Sequence, residues 1–328
     1  MSNPPTEYKQ SRISPAQVGF ILFWLVVALV LFFWPANWWW FAAAQTFVPY
    51  ISAILLLTGL FWLIQPPRWG GLAALLAAVL VSTASLYGPR LLSPTAQGGA
   101  GSIRVLAANM EFGRGEASSL LHEAKANDID VIVLVECTGS LAHAISARAR
   151  GDYPYVSLQP HDESGFEGWI LSRYPIAEKR ELNSIFGRRD GAFQLPGVTI
   201  MSPVGPLRLL GVHAIPPLSK NGHLQWREDM KTIAQWANED SRPALAIGDF
   251  NATSSHPPFR QLLAGANDAI DLASFPAFTW PSVFPLIRID HALTWNAKPV
   301  SAKVFKVPGT DHRGIWTEIS MPAQSNTK

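Results

Sequence analysis

Residues 245–255 read LAIGDFNATSS, an apolar run that stops abruptly on Asp249-Phe250-Asn251. Along a strand, side chains alternate between faces, so Asp249 and Asn251 share one side and Phe250 takes the other. Gly248 lets the backbone pass close to a neighbour, and Thr253-Ser254-Ser255 is loop composition. An acceptor and an amide at one strand end suit a phosphate or a metal-associated water. The same pair also suits an Asx-type turn closing a buried strand, so the rest of the chain must decide.

Working outward from this stretch, the sequence after residue 102 shows the pattern again. Ile103 to Ala107 reads as a strand, Ala117 to Ala126 as a helix and Asp130 to Val135 as a second, apolar strand. Short strands follow at 168–172, 207–212, 244–247, 289–294 and 314–319, with a helix over 223–238. Polar residues gather where the strands stop: Asn109, Glu136, His213, Asp249 with Asn251, Asp290, and the run Thr310-Asp311-His312. Strand ends are where α/β architectures build their sites. Taken singly, each residue has a structural explanation as a turn cap, a surface carboxylate or a hydrogen-bonded core histidine. Together they form two amides, two histidines and four carboxylates, a set suited to metal-assisted hydrolysis of a phosphate ester.

Seven short motifs carry a resemblance: AANM with Asn109, LVE with Glu136, GWILSRYPI at 168–176, GVH with His213, GDFN, RIDHAL with Asp290, and TDHR. In this order they resemble the endonuclease/exonuclease/phosphatase family over about Ile103 to Ile319. Thr310 stands where the family often has Ser, and Cys137 follows the glutamate where an apolar residue is common. The resemblance implies an α/β (α+β) four-layer sandwich of two packed β-sheets flanked by helices. It also implies a divalent-metal-dependent phosphoesterase using Mg²⁺ or Mn²⁺. Glu136 is then the main metal anchor and Asp311 the second metal contact. Asp249 orients or deprotonates the attacking water. Asn109 and Asn251 hold the phosphate or the neighbouring groups, and His312, oriented by Asp290, polarises the phosphate. His213 contacts the phosphate or assists the leaving group.

The first ninety residues differ in kind. Residues 13–67 and 69–89 contain no Asp, Glu, Lys or Arg, and stretches at about 18–34, 47–64 and 71–88 approach the ~20 apolar residues that cross a bilayer. The expectation is three transmembrane helices in 1–90, a flexible linker over 91–102, a catalytic domain over 103–320 and a tail over 321–328. Trp38-Trp39-Trp40 fits an interfacial aromatic belt, and Pro35 and Pro66-Pro67 mark span ends. Cleavage of a signal peptide after Ala42-Ala43-Ala44 competes less well, because two further apolar stretches follow. Lys9 and Arg12 before the first span and Arg68 in the second connection favour a cytoplasmic N-terminus, with Arg90 opposing. That places a multi-pass protein in the inner or plasma membrane, its large domain periplasmic or extracellular.

Other chemistries find less support. There is no HExxH or paired-cysteine spacing for zinc and no GxSxG nucleophile elbow. Gly113-Arg114-Gly115 lacks the context of a dinucleotide loop. Cys137 is the only cysteine, which rules out an intramolecular disulfide. A net charge of +2 does not by itself argue for nucleic acid. Arg114, Arg173, Arg188, Arg189, Arg288 and Arg313 are available for phosphate, although scattered arginines are usually solvated charge. Phe275, Phe278, Trp280 and Phe284 suit a base, a lipid surface or the core. The expected partners are a phosphodiester substrate, of nucleic acid or of a phospholipid head group, and the bilayer. No obligate protein partner is evident. The competing class is a non-catalytic module binding a phosphorylated ligand at the membrane.

Overall fold

The computed structural model describes residues 13–35, 37–65, 68–83, 101–160, 163–165, 167–182 and 195–322. Two six-stranded mixed sheets form the centre. In the first, β1 (Gly101–Asn109) lies between β12 (Arg313–Met321) and β2 (Val131–Val135), with β11 (Lys298–Lys306) beyond β12. Strands β4 (Trp169–Ser172) and β3 (Tyr155–Val156) extend the other edge. The second sheet runs β5 (Ile176–Leu182), β6 (Leu195–Ser202), β7 (Gly205–His213), β8 (Ala244–Asp249), β10 (Asp290–Trp295) and β9 (Asn267–Asp268). The β1–β2 and β7–β8 pairs are parallel, and each therefore ends on one side of its sheet.

Burial on both faces explains the continuous apolar character of the central strands. Ile103, Val105, Ala107, Val131 and Val133 point inward and meet Leu207, Leu209, Leu245 and Ile247 from the other sheet. The alternate residues point outward. Leu106, Ile132 and Leu134 pack with α5 (Ala117–Ala126) and α6 (Gly139–Ala149), the latter capped by the Thr138 side chain. Leu210, Val212 and Ala246 pack with α7 (Lys220–Ala237) and α8 (Pro257–Leu263) through Trp226, Met230, Ile233 and Phe259. The layers are thus helix, sheet, sheet, helix, the four-layer sandwich implied by the motif order.

Among the described residues, four helices precede the sandwich: α1 (Pro15–Phe33), α2 (Trp39–Gln45), α3 (Val48–Leu63) and α4 (Trp69–Ser82). Ser14 and Gln17 close a capping box at the start of α1. Ala74, Ala77 and Ala78 allow α4 to approach Leu55 and Ile51 of α3 and Ala28 of α1. Outside this small core, Leu22, Phe23, Val26, Leu57, Phe61, Leu76 and Val79 are exposed. Among the described residues, only α1 is by itself long and apolar enough to cross a bilayer. Helices α2 and α3 qualify together as one span bent by 48°, and α4 is shorter. Residues 84–88 of the expected third span, Pro66-Pro67 and most of the expected linker lie outside the described residues. Gly101 and Ser102, expected in the linker, already belong to β1, where they pair with Met321 and Ser320.

The helical unit rests on the sandwich through specific bonds. His256 receives the Thr253 N–H on Nδ1 at 2.8 Å, so its Nε2 carries the proton and donates to the Ala42 carbonyl at 2.9 Å. Burial holds the His256 imidazole down at about 4, which keeps it neutral in this contact. Arg260 stacks over the Phe32 ring at 4.0 Å and donates to the Phe32 carbonyl. Tyr50 of α3 donates its hydroxyl to the Leu286 carbonyl at 2.5 Å.

Candidate active site

Register brings the polar strand ends together. Asn109 ends β1 opposite Val135, so Glu136 is the next residue of the parallel neighbour. His213 ends β7 opposite Asp249 of β8, and Asp249 also faces Asp290, the first residue of β10. His312 immediately precedes β12. Six side chains from both sheets therefore meet at one end of the sandwich.

Local backbone geometry aims them. Gly248 has φ +136°, and a Cβ there would lie 2.3 Å from the Val212 carbonyl oxygen of β7. The close neighbour expected at this glycine is the parallel strand itself. Phe250 is fully buried beside Trp226 and Phe259. Trp226 also donates its indole N–H to the Phe250 carbonyl at 3.1 Å. With Phe250 held in the outer core, Asn251 turns back at φ +45°. Its backbone N–H donates to Asp249 Oδ1 at 2.8 Å and its amide to the Ala214 carbonyl at 2.8 Å. Asp249 and Asn251 thus converge through a left-handed turn rather than through continued strand alternation. Glu136 likewise has φ +51°. Such left-handed residues other than glycine are uncommon and gather at functional sites.

The hydrogen bonds join the set into one network. The Asn109 amide donates to Glu136 Oε1 at 2.9 Å and to Asp249 Oδ2 at 3.3 Å. The Asn251 amide also reaches Asp249 Oδ2 at 3.3 Å. His213 Nε2 lies 3.1 Å from Glu136 Oε1. His312 presents Nδ1 to Asp290 Oδ2 at 3.0 Å and Nε2 to Asp249 Oδ2 at 3.7 Å. Both ring nitrogens face acceptor-only carboxylates, the arrangement of a doubly protonated imidazolium.

Electrostatics follow from this placement. Burial pushes the Asp249 carboxyl up to about 6; the positive charge of His312 opposes the rise, and the negative charge of Asp290 adds to it. Burial alone would lower His312, but Asp290 and Asp249 outweigh it and raise the imidazole to about 10. For Glu136, burial also works against the charge. Hydrogen bonding and charge from His213, the Asn109 amide and the charge of His312 prevail, holding this carboxyl below its ordinary range.

Further residues support the site. Thr310 donates its hydroxyl to the Asn109 carbonyl at 2.9 Å and receives the His312 N–H at 3.1 Å, tying together the ends of the neighbouring strands β1 and β12. Thr279 receives the Asp290 N–H at 3.2 Å. Glu111 accepts the Asp311 N–H at 2.7 Å. Asp311 itself is exposed, and its Oδ2 accepts the Trp280 indole N–H at 3.0 Å. Thr310 and Asp311 fall in the TDHR motif, whereas Glu111 and Thr279 lie outside every motif and no local signal marks them.

The network floors a cleft of about 470 Å³. Glu136, His213, Asp249, Asn251, Asp311 and His312 line it, with Asn109 and Asp290 bonded behind them. Its walls include Phe112, Leu218 and Trp280, and also Ala43, Thr46 and Phe47 from the helical unit. The arginines considered for substrate are engaged elsewhere. Arg173 pairs with Asp128 and Asp130, Arg288 with Asp268 and Asp271, and Arg114 with Glu111, while Arg313 donates to the Ser282 carbonyl. Arg188 and Arg189 lie outside the described residues. Cys137 is buried, and burial pushes its thiol up to about 12, which leaves it an inert packing group.

A two-sheet sandwich with carboxylates, amides and histidines converging at one end defines a phosphoesterase-type fold. The sequence agrees: residues 106–312 match the Endonuclease/Exonuclease/phosphatase family, and the chain belongs to it. Among curated proteins it is similar to the uncharacterized protein YbhP of Escherichia coli K12, 31% identical over 187 residues, covering 52% of this chain and 69% of YbhP. Among solved structures, D. rerio TDP2 complexed with a single-strand DNA product matches at a TM-score of 0.56 and 14% identity, covering 68% of this chain and 100% of that one. Sphingomyelinase C from Streptomyces griseocarneus matches at 0.51 and 16%, covering 67% and 99%. At these identities the structural likeness is one of fold.

Proposed function

We propose that this chain is a membrane-anchored phosphodiesterase dependent on Mg²⁺ or Mn²⁺, its catalytic domain on the periplasmic or extracellular side. The observation that carries the reading is the buried Asp249–His312–Asp290 group at the floor of an open cleft, beside an ionised Glu136. A structural ion-pair cluster has no need of a cleft above it.

The donors fit a hard divalent cation. Glu136 receives both the Asn109 and His213 bonds on Oε1, which leaves Oε2 for a cation, and Asp311 lines the same cleft. Ligand atoms of Asp249, Asp290 and His312 also lie within 4.8 Å of one another, a second donor set of suitable composition. The imidazolium already compensates those two carboxylates, so Glu136 is the preferred anchor and Asp311 the second contact. A bound cation would stabilise charge on the phosphoryl and leaving oxygens.

The remaining roles belong to the chain's own groups. Asp249, held by the amides of Asn109 and Asn251, orients an attacking water and takes its proton. The two amides serve mainly to position this carboxylate. His312, fixed by Asp290, presents its remaining charge to a phosphoryl oxygen. His213, beside Glu136 in the cleft lining, contacts the phosphate or supplies a proton to the leaving oxygen. The hydrolysis makes one P–O bond to water and breaks one ester P–O bond, and the alcohol departs protonated.

The test is hydrolysis of bis(p-nitrophenyl) phosphate by the full-length protein in detergent. Turnover that appears with Mg²⁺ or Mn²⁺ and disappears with a chelator supports the reading. Absence of turnover with either ion favours a module that binds phosphorylated ligands without catalysis.

A further inference from the structure

The cleft has two chemically distinct parts. Its floor is polar and anionic, whereas its rim is apolar: Phe47, Phe112 and Leu218 are each about half exposed or more, and Trp280 more than a third. Among the described residues no Lys or Arg lines it. Nucleic-acid binding draws its affinity largely from Lys and Arg contacts along a run of phosphates. A site with one place for a phosphate and, among the described residues, no basic side chain in its lining suits a substrate with a single phosphodiester and an apolar remainder.

The apolar rim is continuous with the helical unit. Helix α2 starts with stacked, exposed Trp38 and Trp40 and leads into Ala43, Thr46 and Phe47 at the cleft. Seven helical residues span about 10 Å, so aromatic residues suited to a membrane interface stand within that distance of the cleft wall. On the other side, Trp280 and Ile287 pair at the base of a hairpin, and the Leu286 carbonyl binds Tyr50 of α3. The hairpin tip exposes Val283 at 87% and Phe284 at 72%. Two bulky apolar side chains at a tip bonded to an apolar helix are costly in water and favourable in lipid.

We propose that the substrate is a membrane lipid carrying a phosphodiester head group, and that the α2–α3 corner forms one wall of its binding site. The inference rests on the phosphodiesterase reading and deepens it. The lipid stays anchored while its phosphodiester reaches Asp249 and His312, guided by Phe47, Leu218 and Trp280. The 280–287 hairpin tip dips into the interface beside the head group. Hydrolysis adds water across one P–O ester bond and yields a phosphomonoester and an alcohol, the proton of water ending on the alcohol oxygen. The helices are in this way part of the active site as well as its anchor.

The experiment uses the full-length protein with Mg²⁺ or Mn²⁺ and three probes: mixed micelles of phosphatidylethanolamine and phosphatidylglycerol, single-stranded oligonucleotides, and bis(p-nitrophenyl) phosphate. The expected result is lipid turnover at least tenfold above oligonucleotide turnover. In the double variant Val283→Ser/Phe284→Ser, the ratio of lipid to bis(p-nitrophenyl) phosphate turnover should fall tenfold or more. Cleavage of bis(p-nitrophenyl) phosphate without lipid cleavage overturns the lipid inference and leaves the phosphodiesterase reading standing. Preferential oligonucleotide cleavage overturns it in favour of nucleic acid. Failure to cleave any of the three overturns the phosphodiesterase reading itself.

Discussion

Replacing Asp290 by Asn removes one negative charge from the centre of the site and keeps its shape. Asp290 is buried, and its Oδ2 lies 3.0 Å from His312 Nδ1. Two unit charges about 4 Å apart at an effective dielectric of about 20 interact by about 4 kcal/mol. At about 1.4 kcal/mol per pH unit, that is a shift of up to about 3 units. Asp249 Oδ2 remains 3.7 Å from Nε2 and retains part of the attraction, so the realised shift is smaller, about 1 to 2 units. The sign follows from the roles. The active form has Asp249 ionised and His312 protonated, so activity rises with pH through about 6 and is lost as pH rises through about 10. The two limbs are macroscopic properties of the coupled group. Asp290→Asn should bring the alkaline limb down to about 8 or 9 and lower the plateau rate by about tenfold or more, because the imidazole is also less firmly oriented. The assay is a pH–rate profile on bis(p-nitrophenyl) phosphate at saturating metal. An alkaline limb within about half a unit of the parent's would refute the assignment of His312 as the charged partner of Asp290.

The other variants separate structure, metal and chemistry. Gly248→Ala sets a Cβ against the Val212 carbonyl at 2.3 Å and forces a side chain into φ +136°. It should cost about 2–3 kcal/mol or more and lower Tm by about 4 °C or more, read by thermal unfolding in detergent; an unchanged Tm contradicts the strand packing described. Glu136→Gln should weaken calorimetric Mn²⁺ binding, while His312→Ala should keep that binding and lose turnover on the order of 10²-fold. The opposite pattern would exchange their roles.

How much of this was legible beforehand depended on whether a residue's signal is local. β2, buried on both faces, reads as VIVLV, and α5 has a clear apolar face, so both were visible within a residue. β5 reads IAEKREL and β11 KPVSAKVFK. These are an edge strand and a strand with its outer face in water, where charged residues hide the alternation. α6, GSLAHAISARA, has small residues and a weak apolar stripe. Six side chains of the site's floor could be named because each sits at a strand end, and the parallel registers at Asn109–Val135 and His213–Asp249 carry them to one place. Of the walls, Trp280 stood out as an aromatic of the loop before Asp290, but the part supplied by the helical unit was not readable. Phe47 and Thr46 reach the cleft only because His256, Arg260 and Tyr50 dock the helices there, contacts more than two hundred residues apart in sequence. The same distance separates Thr310 from Asn109.

The measurement closest to the central claim is turnover of bis(p-nitrophenyl) phosphate by Asp249→Asn, full-length and saturated with Mg²⁺ or Mn²⁺. The substitution keeps the side chain's size and its place between Asn109, Asn251 and His312 while removing the carboxylate that takes the proton from water. The account predicts a loss on the order of 10²- to 10⁴-fold with circular dichroism and Tm close to the parent's. Turnover within about threefold of the parent in a folded Asp249→Asn protein would contradict it.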